Sequence, residues 1–296
     1  MILRREGALR PRQASILSIL LLALVAAVFY AGACAKKDAS KEAGAGAGQK
    51  GAAAVSDTIA FRDVRAIADT TARLAAWESF LAKYPTSAFR PRATGSYCSL
   101  LMTKDAAKVA AYVDKNLPTE KDPATRGQLH HAAYQYAQAH AAEQLPAVLK
   151  AMRDDPLIEA DACNMVGWDL VERKEFLDDA IALAALGVSK ATNDETKSSI
   201  LDTQAWAHFA KGEYPRAVDL LVEAVALDSS HTEVRAHLAE AYEKDGRAKE
   251  ALDTYVQLLI PAEEPEYRAK IEALSQATGQ SPKAIFQRVD RTREAN

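Results

Sequence analysis

The stretch "LDTQAWAHFAKGEYPRAVDLLVEAVALDSS", Leu201 to Ser230, reads as two short helices joined by a turn. Apolar and small residues recur at three- and four-residue spacing on either side of Gly212, the pattern of amphipathic helices. Gly212 sits where a left-handed residue lets the chain reverse. A hairpin of this size has an apolar face that it cannot bury alone. It needs similar units before and after it.

Moving forward by 34 residues places Ala205 on Ala239, Gly212 on Gly246 and Ala217 on Ala251. The second copy is "TEVRAHLAEAYEKDGRAKEALDTYVQLLIP". Ala205 and Ala239 are the small residues where paired helices approach closely. Ala217 and Ala251 open the contact face of the second helix, which Leu221 and Ala224 continue at helical spacing. Upstream, "ACNMVGWDLVERKEFLDDAIALAALGVSKA" is a third copy. Gly167-Trp168 matches Ala205-Trp206 at a shift of 38, and Ala180 matches Ala217 at a shift of 37. The difference falls in the turn "ERKEFLDD", which lacks the glycine.

This helix–turn–helix period resembles the tetratricopeptide repeat (TPR) family. Tyr242 takes the family's aromatic place on the first helix, while His208 in that place and Ser229 in the place of a proline depart from it. The resemblance implies an all-α fold, an α-solenoid of antiparallel helical hairpins wound into a right-handed superhelix. It also implies a concave groove lined by the first helices, where a peptide or protein lies. The family's groove positions fall here on Asn164, Trp168 and Val171, on Asp202, Trp206 and Phe209, and on Ala236, Glu240 and Glu243. Trp168 and Trp206 are then equivalent and would stack along the groove as rigid anchors. The rival reading packs both tryptophans against the neighbouring hairpin. The basic residues that would clamp an acidic C-terminus are not at these positions.

The resemblance covers residues 161–261, three repeats. Residues 58–160 continue as degenerate helical hairpins, seen in "TARLAAWESFLAKYPTSAFRPRA", "DAAKVAAYVDKNLP" and "DPATRGQLHHAAYQYAQAHAA". Residues 262–296 read as two helices, with Ser281 as an N-cap and Pro282 at the first helical position, that cap the solenoid with a polar face.

At the other end, Arg4, Arg5, Arg10 and Arg12 precede an apolar run from Ile16 to Ala33, and "AGAC" brings small residues up to Cys34. Residues 1–34 therefore read as a targeting segment. It resembles a bacterial lipoprotein signal with Cys34 as the lipidated residue, although Ala31 stands where a leucine is usual, after the bulky Tyr30. The same run suits a retained membrane helix, and the small residues suit ordinary secretory cleavage. Each alternative exports the remainder to the cell envelope, on the periplasmic face of the inner or outer membrane in a Gram-negative cell. Residues 35–57, "AKKDASKEAGAGAGQKGAAAVSD", are small and polar and read as a flexible tether.

Over 296 residues, hydrophobic content of 49% and charged content of 26% are those of a globular protein. The net charge of -3 argues against nucleic acid as a partner. Cys98 and Cys163 lie on apolar helix faces and read as buried thiols, with a disulfide between them the rival. His130, His131 and His140 form the densest ionisable group. His130 and His140 share a helix face but stand about 15 Å apart along the axis, too far for one metal ion, so the group reads as exposed histidines. No phosphate loop or catalytic motif occurs, and no cofactor is expected. Three functions compete: a membrane-tethered, non-catalytic interaction module, a structural subunit of an outer-membrane or secretion assembly, and an enzyme whose site is hidden.

Overall fold

In the computed structural model of the chain, the described residues run from Lys50 to Ala295. The targeting segment, Cys34 and residues 35–49 lie outside them. Helices α1 (Lys50–Ala66), α2 (Thr70–Lys83) and α3 (Arg90–Asn116) come first, and Asp105 breaks α3 with φ -160° and ψ 81°. Helix α4 (Pro123–His140) and helix α5 (Leu145–Asp154) follow. Four more pairs complete the chain: α6 (Ala160–Arg173) with α7 (Leu177–Lys190), α8 (Asp194–Ala210) with α9 (Tyr214–Leu227), α10 (Thr232–Lys244) with α11 (Ala248–Leu259), and α12 (Pro265–Thr278) with α13 (Pro282–Ala295). No strand occurs among the described residues.

Residues 50–57, assigned to the tether by sequence, are the start of α1. The alanines Ala52, Ala53 and Ala54 explain this, since alanine has the highest intrinsic helix propensity. From Ala54 onward the chain forms one compact unit.

Consecutive helices pack on each other, and the first helices α4, α6, α8 and α10 also pack on one another in sequence. This is an α-solenoid of helical hairpins, because each repeat contacts its neighbours along a line. The repeat positions do what their size dictates. Ala205, Ala239, Ala180, Ala217 and Ala251 are fully buried, and Leu221 joins them. Gly212 and Gly246 have φ of 80° and 77° in the turns after α8 and α10. In the glycine-less turn after α6, Lys174 takes the left-handed place at φ 56° and Phe176 follows at φ 47°. Gly127 marks where α4 meets α6, since a Cβ there would lie 2.9 Å from that of Ala162.

Cys98 and Cys163 are free thiols, buried to 3% and 0% exposure. Burial pushes both up to about 12, so neither is a thiolate at neutral pH. Cys163 occupies the same core position as Leu201 one repeat later.

His130 corrects the sequence reading of exposed histidines. It is buried, and its Nε2 lies 2.6 Å from Asp155 Oδ2, so the ring donates there. Arg126 donates to the same oxygen from Nε at 2.8 Å and from Nη2 at 2.6 Å. The Leu157 N–H reaches Asp155 Oδ1 at 2.9 Å. This knot ties α4 to the turn after α5. His140, by contrast, is exposed beside the Tyr136 ring at 5.6 Å.

Candidate functional site: an aromatic ladder on three first helices

Helices α6, α8 and α10 each present one face away from the hairpin core, and their rings meet there. Trp206 on α8 lies parallel to Phe209 one turn on, with centroids 4.2 Å apart and planes 11° apart. It lies equally close to His237 of α10, at 4.2 Å and 20°. Phe209 and His237 make no ring contact with each other, so they cover opposite faces of the indole. Trp168 of α6 stacks with His237 from farther off, at 5.9 Å and 25°. Phe209 also meets the Tyr214 ring edge-on at 5.2 Å. The order Phe209, Trp206, His237, Trp168 is a continuous ladder, and all four rings are half-buried.

Stacking at these offsets adds to burial because the negative ring faces meet positive edges. Asp202 holds the ladder's centre. Its carboxylate is 6% exposed, and Oδ1 accepts from His237 Nδ1 at 2.7 Å. Burial acts to lower the His237 pKa. The hydrogen bond to Asp202 and the charges of Asp202, Glu233 and Glu240 together outweigh it, and the imidazole titrates above its usual value. A protonated ring is also favoured between two electron-rich indoles.

A raised folded-state pKa adds stability that is full below the unfolded value of about 6.5. That contribution is lost as pH rises through the folded pKa. The stability advantage of the native chain over His237→Gln should therefore shrink between about pH 6 and pH 8, measured by urea unfolding at each pH. An advantage that grows with pH would reverse the assignment.

The positions marked by the repeat register do not all reach the open face. Trp168, Trp206 and Phe209 are brought together as the ladder. Asn164 is half-buried and accepts from Thr203 Oγ1 at 2.6 Å, linking α6 to α8. Val171 is corrected: at 3% exposure it belongs to the core with Leu170 and Leu183. A short branched aliphatic has no polar end to keep it at the surface, so it packs inward. Asp202 is likewise corrected, a buried carboxylate committed to His237. Glu243 binds Lys270 of α12 at 2.9 Å and accepts from the Tyr255 hydroxyl at 3.4 Å. Ala236 packs against the C-terminal core. Glu240 is half-buried and makes no hydrogen bond or ion pair among the described residues.

His237 is the residue the sequence reading missed. It follows Ala236 directly, so it points about 100° away from that groove position. The one available signal was Asp202, a carboxylate at a first-helix position with a histidine one repeat downstream.

Hairpins stacked through their first helices, with rings gathered on that face, define a helical-repeat scaffold. Residues 208–281 match the tetratricopeptide repeat family model. These residues carry the tetratricopeptide repeat pattern. The match begins inside the Leu201–Ser230 copy and runs through α12, a helix expected from sequence to be a cap. Among solved structures the chain is similar to a thermophilic TPR protein in Thermus thermophilus. The two share 19% identity over 74% of this chain and 98% of that one, with a TM-score of 0.30. No curated protein matches.

Proposed function

We propose that this chain is a non-catalytic scaffold of the bacterial cell envelope, tethered through its N-terminal segment and binding an extended protein segment along the aromatic ladder. The ladder itself carries the reading. Three successive first helices contribute half-open rings to one face, where a partner's side chains would meet rigid aromatic anchors with little ordering cost. The basic n-region, the apolar run and Cys34 support export and a membrane attachment.

A second reading, a structural subunit of an envelope assembly, rests on apolar residues away from the ladder. Phe176 and Val222 are 39% and 44% exposed. Such a subunit would bind through those positions at fixed stoichiometry.

Capture from solubilised envelope membranes distinguishes the two. The full chain and its Trp168→Ala/Trp206→Ala variant serve as bait, with captured proteins identified by mass spectrometry. A partner held by the native chain and lost by the variant supports groove binding. A partner held equally by both moves the interface off the ladder and supports the assembly subunit.

A further inference from the structure

We propose that the ladder takes a cationic segment, in which an arginine or lysine stands beside an aromatic or proline residue. This rests on the groove reading above and adds the partner's chemistry to it.

The rings limit what a ligand can touch. Both faces of Trp206 are covered, by Phe209 and by His237. Trp168 has one face toward His237, and no other described ring or cation stacks on it. It is the ladder's open end. A partly buried indole face is a favourable seat for a guanidinium or ammonium group, which its quadrupole attracts.

The charges around that seat have one dominant sign. On α6, Asp161 lies two turns before Trp168 and Glu172 one turn after it, so both share its stripe. On α10, Glu233 and Glu240 flank His237 by one turn on either side, and both act on its imidazole. Asp161, Glu172 and Glu233 are exposed and Glu240 is half-buried. None of these carboxylates has an ion-pair partner among the described residues. Of the nearby cations, Lys270 is held by Glu243 and Arg173 donates to Asp169 at 2.8 Å, while Arg235 of α10 lies off this stripe and donates to the Ser229 carbonyl. His237 is balanced by Asp202. Among the described residues, Lys244 at the end of α10 is the one unpaired cation on that helix's stripe. The ladder is therefore an aromatic strip in a field that draws cations and repels carboxylates. Trp206 and Phe209 are half-buried beside that seat, and an aromatic or proline neighbour of the cation, being flat or rigid, would pack against them with little lost entropy.

The test is selection of random twelve-residue peptides displayed on phage against the full chain, followed by titration of the enriched sequences. The expected result is enrichment of arginine or lysine next to aromatic or proline residues. Binding of those peptides should fall roughly three- to tenfold in Glu233→Gln/Glu240→Gln. It should fall roughly tenfold or more in Trp168→Ala, and weaken as salt rises. The glutamines keep surface packing unchanged, so this arm survives even if Trp168→Ala folds poorly. Trp168-dependent peptides without basic residues would overturn the charge inference and leave groove binding standing. Peptides indifferent to both variants, or no enrichment, would overturn both.

Discussion

Asp155→Ala is expected to lower the unfolding free energy by about 3–5 kcal/mol, the usual cost of removing one partner from a buried ion pair. The carboxylate accepts from Arg126, His130 and the Leu157 backbone, and alanine would strand an almost buried guanidinium and a buried imidazole together. Asp155→Asn keeps the shape and part of the hydrogen bonding, so it should lose distinctly less. Urea unfolding of the three chains decides it, and a loss under about 1 kcal/mol in Asp155→Ala would mean that water replaces the carboxylate.

Acid should reveal the same knot. Burial acts to raise the Asp155 pKa, but the hydrogen bonds from His130, Arg126 and Leu157 prevail and hold it below its usual value. Burial dominates at His130 and, with Arg126 adding to it, lowers that pKa against the pull of Asp155. Both groups therefore contribute stability that is present above their unfolded pKa values and lost as pH falls through the folded ones. The native chain should lose stability on acidification through these groups, whereas the His237 contribution is greatest on the acid side of neutrality.

The second large effect is on binding. Trp168→Ala with Trp206→Ala should weaken partner capture by roughly a hundredfold or more, since buried aromatic anchors each cost about 2 kcal/mol or more on truncation. Helicity should remain near native, because both rings are half-buried and neither sits at a hairpin's close approach. Some stability goes with Trp206, which packs against the core shared by α4 to α8 as well as in the ladder. A loss of about 2 kcal/mol with cooperative unfolding intact fits that position. Collapse of the unfolding transition would instead make both tryptophans core residues and remove the basis for the groove.

The repeat was legible because its signals are local. Gly212 and Gly246 mark turns through a backbone conformation that other residues adopt at a cost, and Ala205 and Ala239 mark close approach through size alone. Lys174 shows the limit of that logic. The turn forms at the same place without glycine: Lys174 and Phe176 take the left-handed region, and the Lys174 and Glu175 N–H groups donate back to the Val171 and Leu170 carbonyls. The candidate site was legible only by halves. Register within one helix places Trp168, Trp206 and Phe209 on a face, but it does not say which residue of the next helix arrives opposite. That is why His237 was not foreseen, and why His130 read as solvent-exposed when Asp155, 25 residues on, closes over it. Asp202 reads as a groove charge for the same reason: its partner belongs to the following repeat.

Groove binding is tested most directly by photo-crosslinking in living cells, with a benzophenone amino acid placed in turn at Glu240 and at Val222. Glu240 borders the ladder on α10, and Val222 is exposed on α9. The predicted result is a discrete adduct from position 240, abolished by Trp168→Ala, and none from position 222. An adduct from position 222 alone, indifferent to Trp168→Ala, would contradict groove binding and place the working interface on the second helices.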